Sequence, residues 1–342
     1  MLKTGLVQIY TGARGHINYA PYGLALRACG RNLRTLIMGF SPADYWGSLK
    51  RAASFLTPYL LIEDLFPEGV KSDRSSTLHR VGKGFHNARK RIIEGRFDMV
   101  ILDGILPLVA EEVLKSDDIL QLMGDKPPWV EMVLTGFGAD RQLIQHADLV
   151  TEMVVSKDKG DALRPEEIGR RGYIEIVTGN GKGKTTYCLG KAMLAACSGH
   201  RVFVLQVIKS PRLYGEIKGM KRLPDLTVRT MGEGFLDHGP TRPGERHQKA
   251  ARKAWAVWLK NLYSMRFDLL VLDEINIATH YGLIPWEQVK EMLLKKPKSL
   301  YLLLSGREAH PVITKTADIV MEMKEVKHPY QKGIRAREGI EF

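Results

Sequence analysis

Cysteine is scarce in this chain. Among 342 residues there are three, Cys29, Cys188 and Cys197, and their spacing matches no metal-ligand pattern. That argues against a disulfide framework and against a cysteine-ligated zinc site. Long apolar runs are missing too: stretches such as 300–304 fall far short of the ~20 residues a bilayer-spanning helix needs. No basic-then-apolar leader opens the sequence, so the expectations are a cytoplasmic location and no membrane partner. Nor is there a Lys/Arg run interleaved with aromatics of the kind that forms a nucleic-acid platform, so no nucleic-acid partner is expected. What the chain has in excess is basic charge, with 51 Lys and Arg against 38 Asp and Glu and a formal net charge of +13. Such a balance suits polyanionic partners such as a triphosphate or an acidic protein, although a solvated basic surface explains it equally well. With 44% hydrophobic and 26% charged residues, the composition is that of a globular chain long enough for two domains.

The sequence repeats itself. RFDMVILDG around Phe97 returns as RFDLLVLDE around Phe267, 170 residues later. The same offset carries LTGF at 134–137 to LSGR at 304–307, and ADLVTEM at 147–153 to ADIVMEM at 317–323. IYTGARG at 9–15 returns as IVTGNGK at 176–182, and VGKGF at 81–85 returns as MGEGF at 231–235. Collinear matches at a nearly constant offset mark a tandem duplication. The copies span 1–155 and 172–342, joined by a charged Gly- and Pro-bearing linker over 156–171.

Each copy alternates short β-branched runs with helical patterns. In the second copy, strands are expected at 174–177, 201–208, 269–272, 300–304 and 319–323, and helices at 185–197, 245–265 and 285–295. Strands alternating with helices imply α/β architecture, here two tandem P-loop NTPase (RecA-like) domains, each a mainly parallel sheet flanked by helices. Ligands of such sheets sit at the carboxyl ends of the strands.

The second copy carries TGNGKGKTT at 178–186, after one predicted strand and opening a helix. Gly179, Gly181 and Gly183 let the backbone approach phosphate oxygens, while Asn180, Lys182 and the helix N-terminus complete the cradle. Lys184 supplies a charge for the phosphates, and Thr185, with Thr186 beside it, is placed to hold Mg2+. Thr178 stands where the usual phosphate-loop pattern has its first glycine. The complementary element is VLDEIN at 271–276, a buried strand ending in Asp273 and Glu274, the pair of carboxylates a phosphate-bound Mg2+ uses. The first copy has lost this equipment: Ile17 stands for Lys184, Asn18 for Thr185 and Gly104 for Glu274, with Asp103 retained. It is expected not to bind Mg-triphosphate.

TGNGKGKTT, MGEGF, DEIN, SGR at 305–307 and the terminal VKHPYQKGIRAREGIEF at 326–342 together resemble the P-loop type of ATP:corrinoid adenosyltransferase. The resemblance covers essentially all of the second copy, and the terminal block is its most specific part. It implies attack of a Co(I) corrinoid on C5′ of ATP with loss of triphosphate, with Lys184, Glu274 and Phe235 as catalytic residues. It implies ATP binding by Thr178–Thr186 with Asn276 and Arg307, and Mg2+, with Mn2+ as an alternative, on Thr185, Asp273 and Glu274. It places Gly234, Phe235, Lys209 and His328 on the corrinoid side. It also implies an acidic electron donor such as a flavodoxin, and an intrachain pseudo-dimer where family members are homodimers. One position departs from the family: Asp237 stands where well-known members carry a Trp two residues after Phe235, leaving Phe235 alone or with Trp255 or Trp258 for displacing the lower axial ligand. A RecA-like ATPase and a non-catalytic corrinoid- or nucleotide-binding protein are the competing readings, and the first copy is either a scaffold or a wall of the site.

Overall fold

Two series of six strands alternate with helices along the chain. In the first half these are β1 (Val7–Gly12), α1 (Ala20–Gly30), β2 (Thr35–Gly39), α2 (Trp46–Leu56), β3 (Leu60–Asp64), α3 (Arg74–Ile93), β4 (Met99–Asp103), α4 (Ile105–Ala110), α5 (Ser116–Asp125), β5 (Glu131–Gly136), α6 (Arg141–His146) and β6 (Leu149–Asp158). The second half repeats the series. It holds β7 (Tyr173–Thr178), α7 (Lys184–Cys197), β8 (Val202–Gln206), α8 (Gly215–Met220), β9 (Leu226–Thr230), α9 (Glu245–Leu262), β10 (Leu269–Asp273), α10 (Ile275–His280), α11 (Trp286–Lys295), β11 (Tyr301–Ser305), α12 (Pro311–Thr316) and β12 (Ile319–Lys327). This computed structural model describes residues 2–67, 73–160, 167–210, 214–234, 244–329, 333–334 and 336–341. The predicted strands and helices of the second half are all present. Helix α9 stops at Leu262 rather than 265, just before Met265 takes a left-handed φ of 55°.

The strands form one twelve-stranded sheet in the order β3-β2-β4-β5-β1-β6-β12-β7-β11-β10-β8-β9. Within each half every pairing is parallel, and the two halves have the same internal order. The halves meet where the equivalent strands β6 and β12 pair antiparallel, so two parallel sheets have fused into one. Strand β6 continues to Asp158 to make this pairing, past the expected start of the linker.

The core follows the same plan. One apolar cluster packs on the outer face of the first half, with Val100, Leu102 and Met132 against Ile92 and Leu122. A second does so on the second half, around Trp258 and Leu302. The third is shared and includes Tyr22, Leu26, Tyr187, Leu194 and Met323. It forms where α1 and α7, the first helix of each half, cross. They approach at Gly23 and Gly190: a Cβ on Gly23 would lie 1.8 Å from Thr186 O, and one on Gly190 2.0 Å from Tyr19 O. Every residue of α1 is buried, and in α7 only Thr185 escapes full burial. A helix buried on all sides reads as uniformly apolar and small, which accounts for the run of Ala, Leu and Cys in both.

Candidate active site

Strands β7, β8, β10 and β11 end together at Thr178, Gln206, Asp273 and Ser305. The chain leaves β7 at Thr178 and bends back along β12. Gly179 takes φ 94°, and a Cβ there would lie 2.4 Å from Met323 O. Gly181 N donates to Met323 O at 2.7 Å. Gly183 caps α7 with φ 113°, a conformation that favours glycine, and its α-carbon faces the first half, where a Cβ would lie 3.2 Å from the Tyr10 ring.

Lys184 opens α7 and is 8% exposed; its Nζ donates to Gly181 O at 2.8 Å. Thr185 Oγ1 donates to Asp273 Oδ1 at 3.0 Å, and Ser305 Oγ to the same oxygen at 2.6 Å. Gln206 Nε2 donates to Asp273 Oδ2 at 2.9 Å. Asp273 is therefore a fixed acceptor that aims the Thr185 hydroxyl. Glu274 takes a left-handed φ of 66° while its backbone N donates to Ser305 Oγ at 3.2 Å, and its carboxylate lies within electrostatic reach of Lys184. Asn276 Nδ2 donates to Gly306 O at 3.0 Å, just past the end of β11, and Arg307 Nη2 donates to Asn180 O at 3.3 Å, which ties Arg307 to the loop.

Burial disfavours charge at this centre. Burial pulls Lys184 below the ordinary lysine range, and the Glu274 charge only partly restores it. Burial, then the neighbouring Asp273, push Glu274 above the ordinary carboxylate range, with Lys184 opposing. A polyanion beside the lysine and a cation beside the glutamate reverse both tendencies, so the centre is built to gain charge with a ligand. Thr185, Asp273 and Glu274 are hard oxygen donors, the type that suits Mg2+. Among the described residues no group of three or more His, Cys, Asp or Glu forms a self-sufficient metal cage.

The site residues expected on the corrinoid side have different partners. Lys209 follows β8, and its Nζ donates to the fully buried Glu216 at 2.7 Å. Gly234 N donates to Ile208 O at 3.0 Å, which keeps the Gly234 turn beside Lys209. His328 instead lies within electrostatic reach of Lys182, Glu325, Arg307 and Glu341; burial first, then Lys182, lowers its basicity. Phe235 and Asp237 lie outside the described residues. Trp258 is 0% exposed in the core of the second half, and Trp255 packs partly buried against the same cluster, so both serve packing.

The equivalent centre of the first half is filled differently. Asp103 Oδ1 accepts from Thr135 at 2.6 Å, the counterpart of Ser305 on Asp273. Its Oδ2 accepts from Tyr22 at 2.8 Å and Tyr45 at 3.0 Å, where in the other half Asp273 Oδ2 accepts from Gln206. A cavity of about 680 Å³ opens there, lined by Tyr10, Ile17, Tyr22, Tyr45 and Phe137 among others. Burial raises Asp103 above the ordinary carboxylate range despite these three donors.

Sequence reasoning missed Gln206, Ser305 and Tyr10. Ser305 had a signal, since it falls in the repeated LSGR/LTGF block; Gln206 and Tyr10 act through contacts that no local pattern announces.

The model of the family described as ATP:corrinoid adenosyltransferase BtuR/CobO/CobP matches the chain twice, over residues 3–166 and 170–342. An uncharacterized protein of Nostoc sp. is 28% identical over 99% of this chain and 95% of its own length. The corrinoid adenosyltransferase of Pseudomonas aeruginosa is 35% identical over 50% of this chain and 84% of its own length, and that of Escherichia coli K12 is 33% identical over 54% and 93%. With both halves matched and the phosphate loop and its acidic partner intact in the second, this chain belongs to the ATP:corrinoid adenosyltransferase family.

Proposed function

We propose that the chain transfers the 5′-deoxyadenosyl group of ATP to the Co(I) of a corrinoid, releasing triphosphate, in the second half alone. The observation that carries this is the convergence of Lys184, Thr185, Asp273 and Glu274 at the ends of β7 and β10, in the half that also bears the terminal block. The electron pair of Co(I) forms the Co–C5′ bond, and the pair of the broken C5′–O bond leaves with the triphosphate. Co(I) is already a strong nucleophile, so the protein supplies no general base. Its tasks are to orient C5′ and to stabilise charge on the leaving group.

Loop amides between Gly179 and Thr185, other than that of Gly181, which donates to Met323 O, would face the triphosphate with the Lys184 ammonium, and Arg307, held on Asn180, would close its side. Thr185 and Glu274 would hold Mg2+, with Asp273 aiming Thr185 from behind; Mn2+ offers the same hard chemistry. The cation would neutralise part of the leaving charge. Gly234, which is held beside Lys209, would belong to the corrinoid side, and the resemblance assigns Phe235 and His328 to the same side. The family reading extends to a cytoplasmic enzyme, a pseudo-dimer within one chain, and an acidic electron donor such as a flavodoxin that the net charge of +13 would attract. Among the described residues no helix is long and apolar enough to cross a membrane.

The test is anaerobic incubation of the full chain with MgATP and chemically reduced corrinoid. The Co–C absorbance change and the inorganic triphosphate should appear together, one ATP should bind per chain, and Lys184→Ala should abolish both. ADP and phosphate as products, or two equivalent ATP sites, would overturn the reading.

A further inference from the structure

The first half has no cation clamp, yet it reaches the phosphate loop through the C-terminal segment. Glu131 begins β5 in the first half and is 0% exposed; it accepts from Leu6 N at 2.7 Å and from Gln8 Nε2. Its two oxygens take a fork from Arg337, Nη1 at 2.7 Å and Nη2 at 2.9 Å. Arg337 also donates from its backbone N to Glu341 Oε2 at 2.7 Å and from Nη2 to Glu341 Oε1 at 3.1 Å. Glu341 Oε1 in turn accepts from Lys182 Nζ at 3.3 Å, inside the phosphate loop. The segment is pinned again where Arg27 Nη1 donates to Ile340 O at 2.8 Å and Arg31 pairs with Glu338 at 2.5 Å.

We propose that Glu341 is a positioning residue for the triphosphate site, acting through Lys182, and that the first half takes part in that site by holding Glu341 in place through Glu131 and Arg337. This rests on the reading of residues 178–186 as the nucleotide loop. The charges alternate along the chain of contacts, from Glu131 to Arg337, Glu341 and Lys182. Burial opposes charge on Arg337, but Glu131 and Glu341 outweigh it and raise its basicity. Burial likewise opposes charge on Glu341, and Arg337 and Lys182 outweigh it. Both therefore stay ionised at neutral pH.

An ammonium has three N–H donors. Glu341 engages one of those on Lys182 and leaves two for phosphate oxygens. A lysine already held at the loop loses less rotamer freedom on meeting phosphate than a free one, which is where the gain in affinity arises. Arg337 is the fixed point of the arrangement, because its planar fork matches Glu131 and cannot swing as a lysine would.

The test is a double-mutant cycle on the full chain, read by calorimetric titration with MgATP and by the KM for ATP. Glu341→Gln, which keeps shape and hydrogen bonding, should weaken MgATP about 5-fold, in KM rather than kcat. Arg337→Lys should do the same from the first half's end of the relay. In a Lys182→Met background neither change should weaken binding further. Additive losses in that background would reduce Glu341 and Arg337 to a structural role and overturn the proposal, while leaving the nucleotide reading intact. Tighter binding by Glu341→Gln would show that Glu341 competes with phosphate for Lys182, and would overturn it too. Failure of the unmodified chain to bind MgATP would sink the nucleotide reading and this proposal together. If Glu341→Gln lowers the melting temperature, Glu341→Asp, which keeps the charge, runs the same cycle.

Discussion

Replacing Glu216 by Gln should cost this protein about 3 kcal/mol, and the loss should depend on pH in a way that identifies its origin. Glu216 lies in the first turn of α8, 0% exposed, between two cations. Arg27 Nε, from α1 of the first half, donates to Oε2 at 3.0 Å; Lys209 Nζ donates to Oε1 at 2.7 Å. The three side chains are thus a clamp between the halves, at a place where α1 and α8 touch so closely that a Cβ on Gly30 would lie 1.8 Å from Gly215 O. Burial by itself would raise the Glu216 carboxyl, but Arg27 and then Lys209 outweigh it and bring it from 4.5 to about 2. A difference of that size between unfolded and folded chain is worth about 3 kcal/mol when converted by the linkage relation. Removing the anion leaves Arg27 buried and Lys209 half-buried without it, which predicts a loss of about 3 kcal/mol, the low end of the range for breaking a buried pair.

The sign follows from the direction of the shift. A carboxyl whose folded pKa is depressed contributes its full stabilisation above the unfolded value and loses it as the pH falls through the folded value. The difference in stability between the unmodified chain and Glu216→Gln should therefore be flat from pH 8 to about 5 and shrink toward pH 2. For a chain of this length the difference at neutral pH amounts to about 4 °C in melting temperature, read by differential scanning calorimetry across a pH series. A neutral or stabilising Glu216→Gln at pH 7, or a difference that stays constant down to acid, would refute the argument. The first result would mean that desolvation outweighs the pairing with Arg27 and Lys209; the second, that the loss does not come from the charge of the carboxylate.

The α1–α7 crossing predicts a contrast between two glycines. Gly190→Ala, whose Cβ would sit 2.0 Å from Tyr19 O, should lower stability by about 1–3 kcal/mol, whereas Gly124→Ala in α5, with open space around it, should raise it by about 0.5–1 kcal/mol; thermal denaturation reads both. Phe235→Ala should slow adenosylation that starts from Co(II) more than transfer to chemically reduced Co(I), and equal loss in the two assays would separate this position from the axial-ligand step.

Much of this architecture was legible in the sequence because the repeat carries it. Motifs matched at an offset of 170 residues fall at equivalent strand ends, so Asp103 and Asp273 close β4 and β10, and Thr135 and Ser305 reach them alike. The phosphate loop was legible for a local reason: its glycines answer backbone demands at Gly179 and Gly183 that no other residue meets easily. Strand β9 had the right signal in a weak form, an alternation of half-buried and exposed residues at the sheet edge. Helix α8 was hidden because it is six residues long and includes Gly215 and Gly219, whose missing side chains are needed by α1. What left no local trace were pairings between residues far apart in the chain. The antiparallel joint of β6 with β12, the Arg27–Glu216 contact and the Glu131–Arg337 fork are all set by the meeting of the halves. A periodicity reports which face of a helix is buried, not which element buries it.

That meeting also gives the first half a structural role beside the phosphate loop. Helix α7 carries Lys184 and Thr185 at its N-terminus and is buried along its length, and α1 covers it. A solvent-facing α7 would present Ala192, Met193, Ala196 and Leu194 to water; against α1 they form a shared core with Tyr22 and Leu26. The position of the phosphate loop is therefore fixed from two sides, by its own sheet and by the first half, with Tyr10 against Gly183. The half that bears the phosphate loop therefore leans on α1, β1 and the β6 joint. Gly23 and Asp103 persist, the first because backbone meets backbone there and the second because Thr135, Tyr22 and Tyr45 satisfy its carboxylate. Ile17 and Gly104 stand at the positions that Lys184 and Glu274 hold in the second half, and carry no charge.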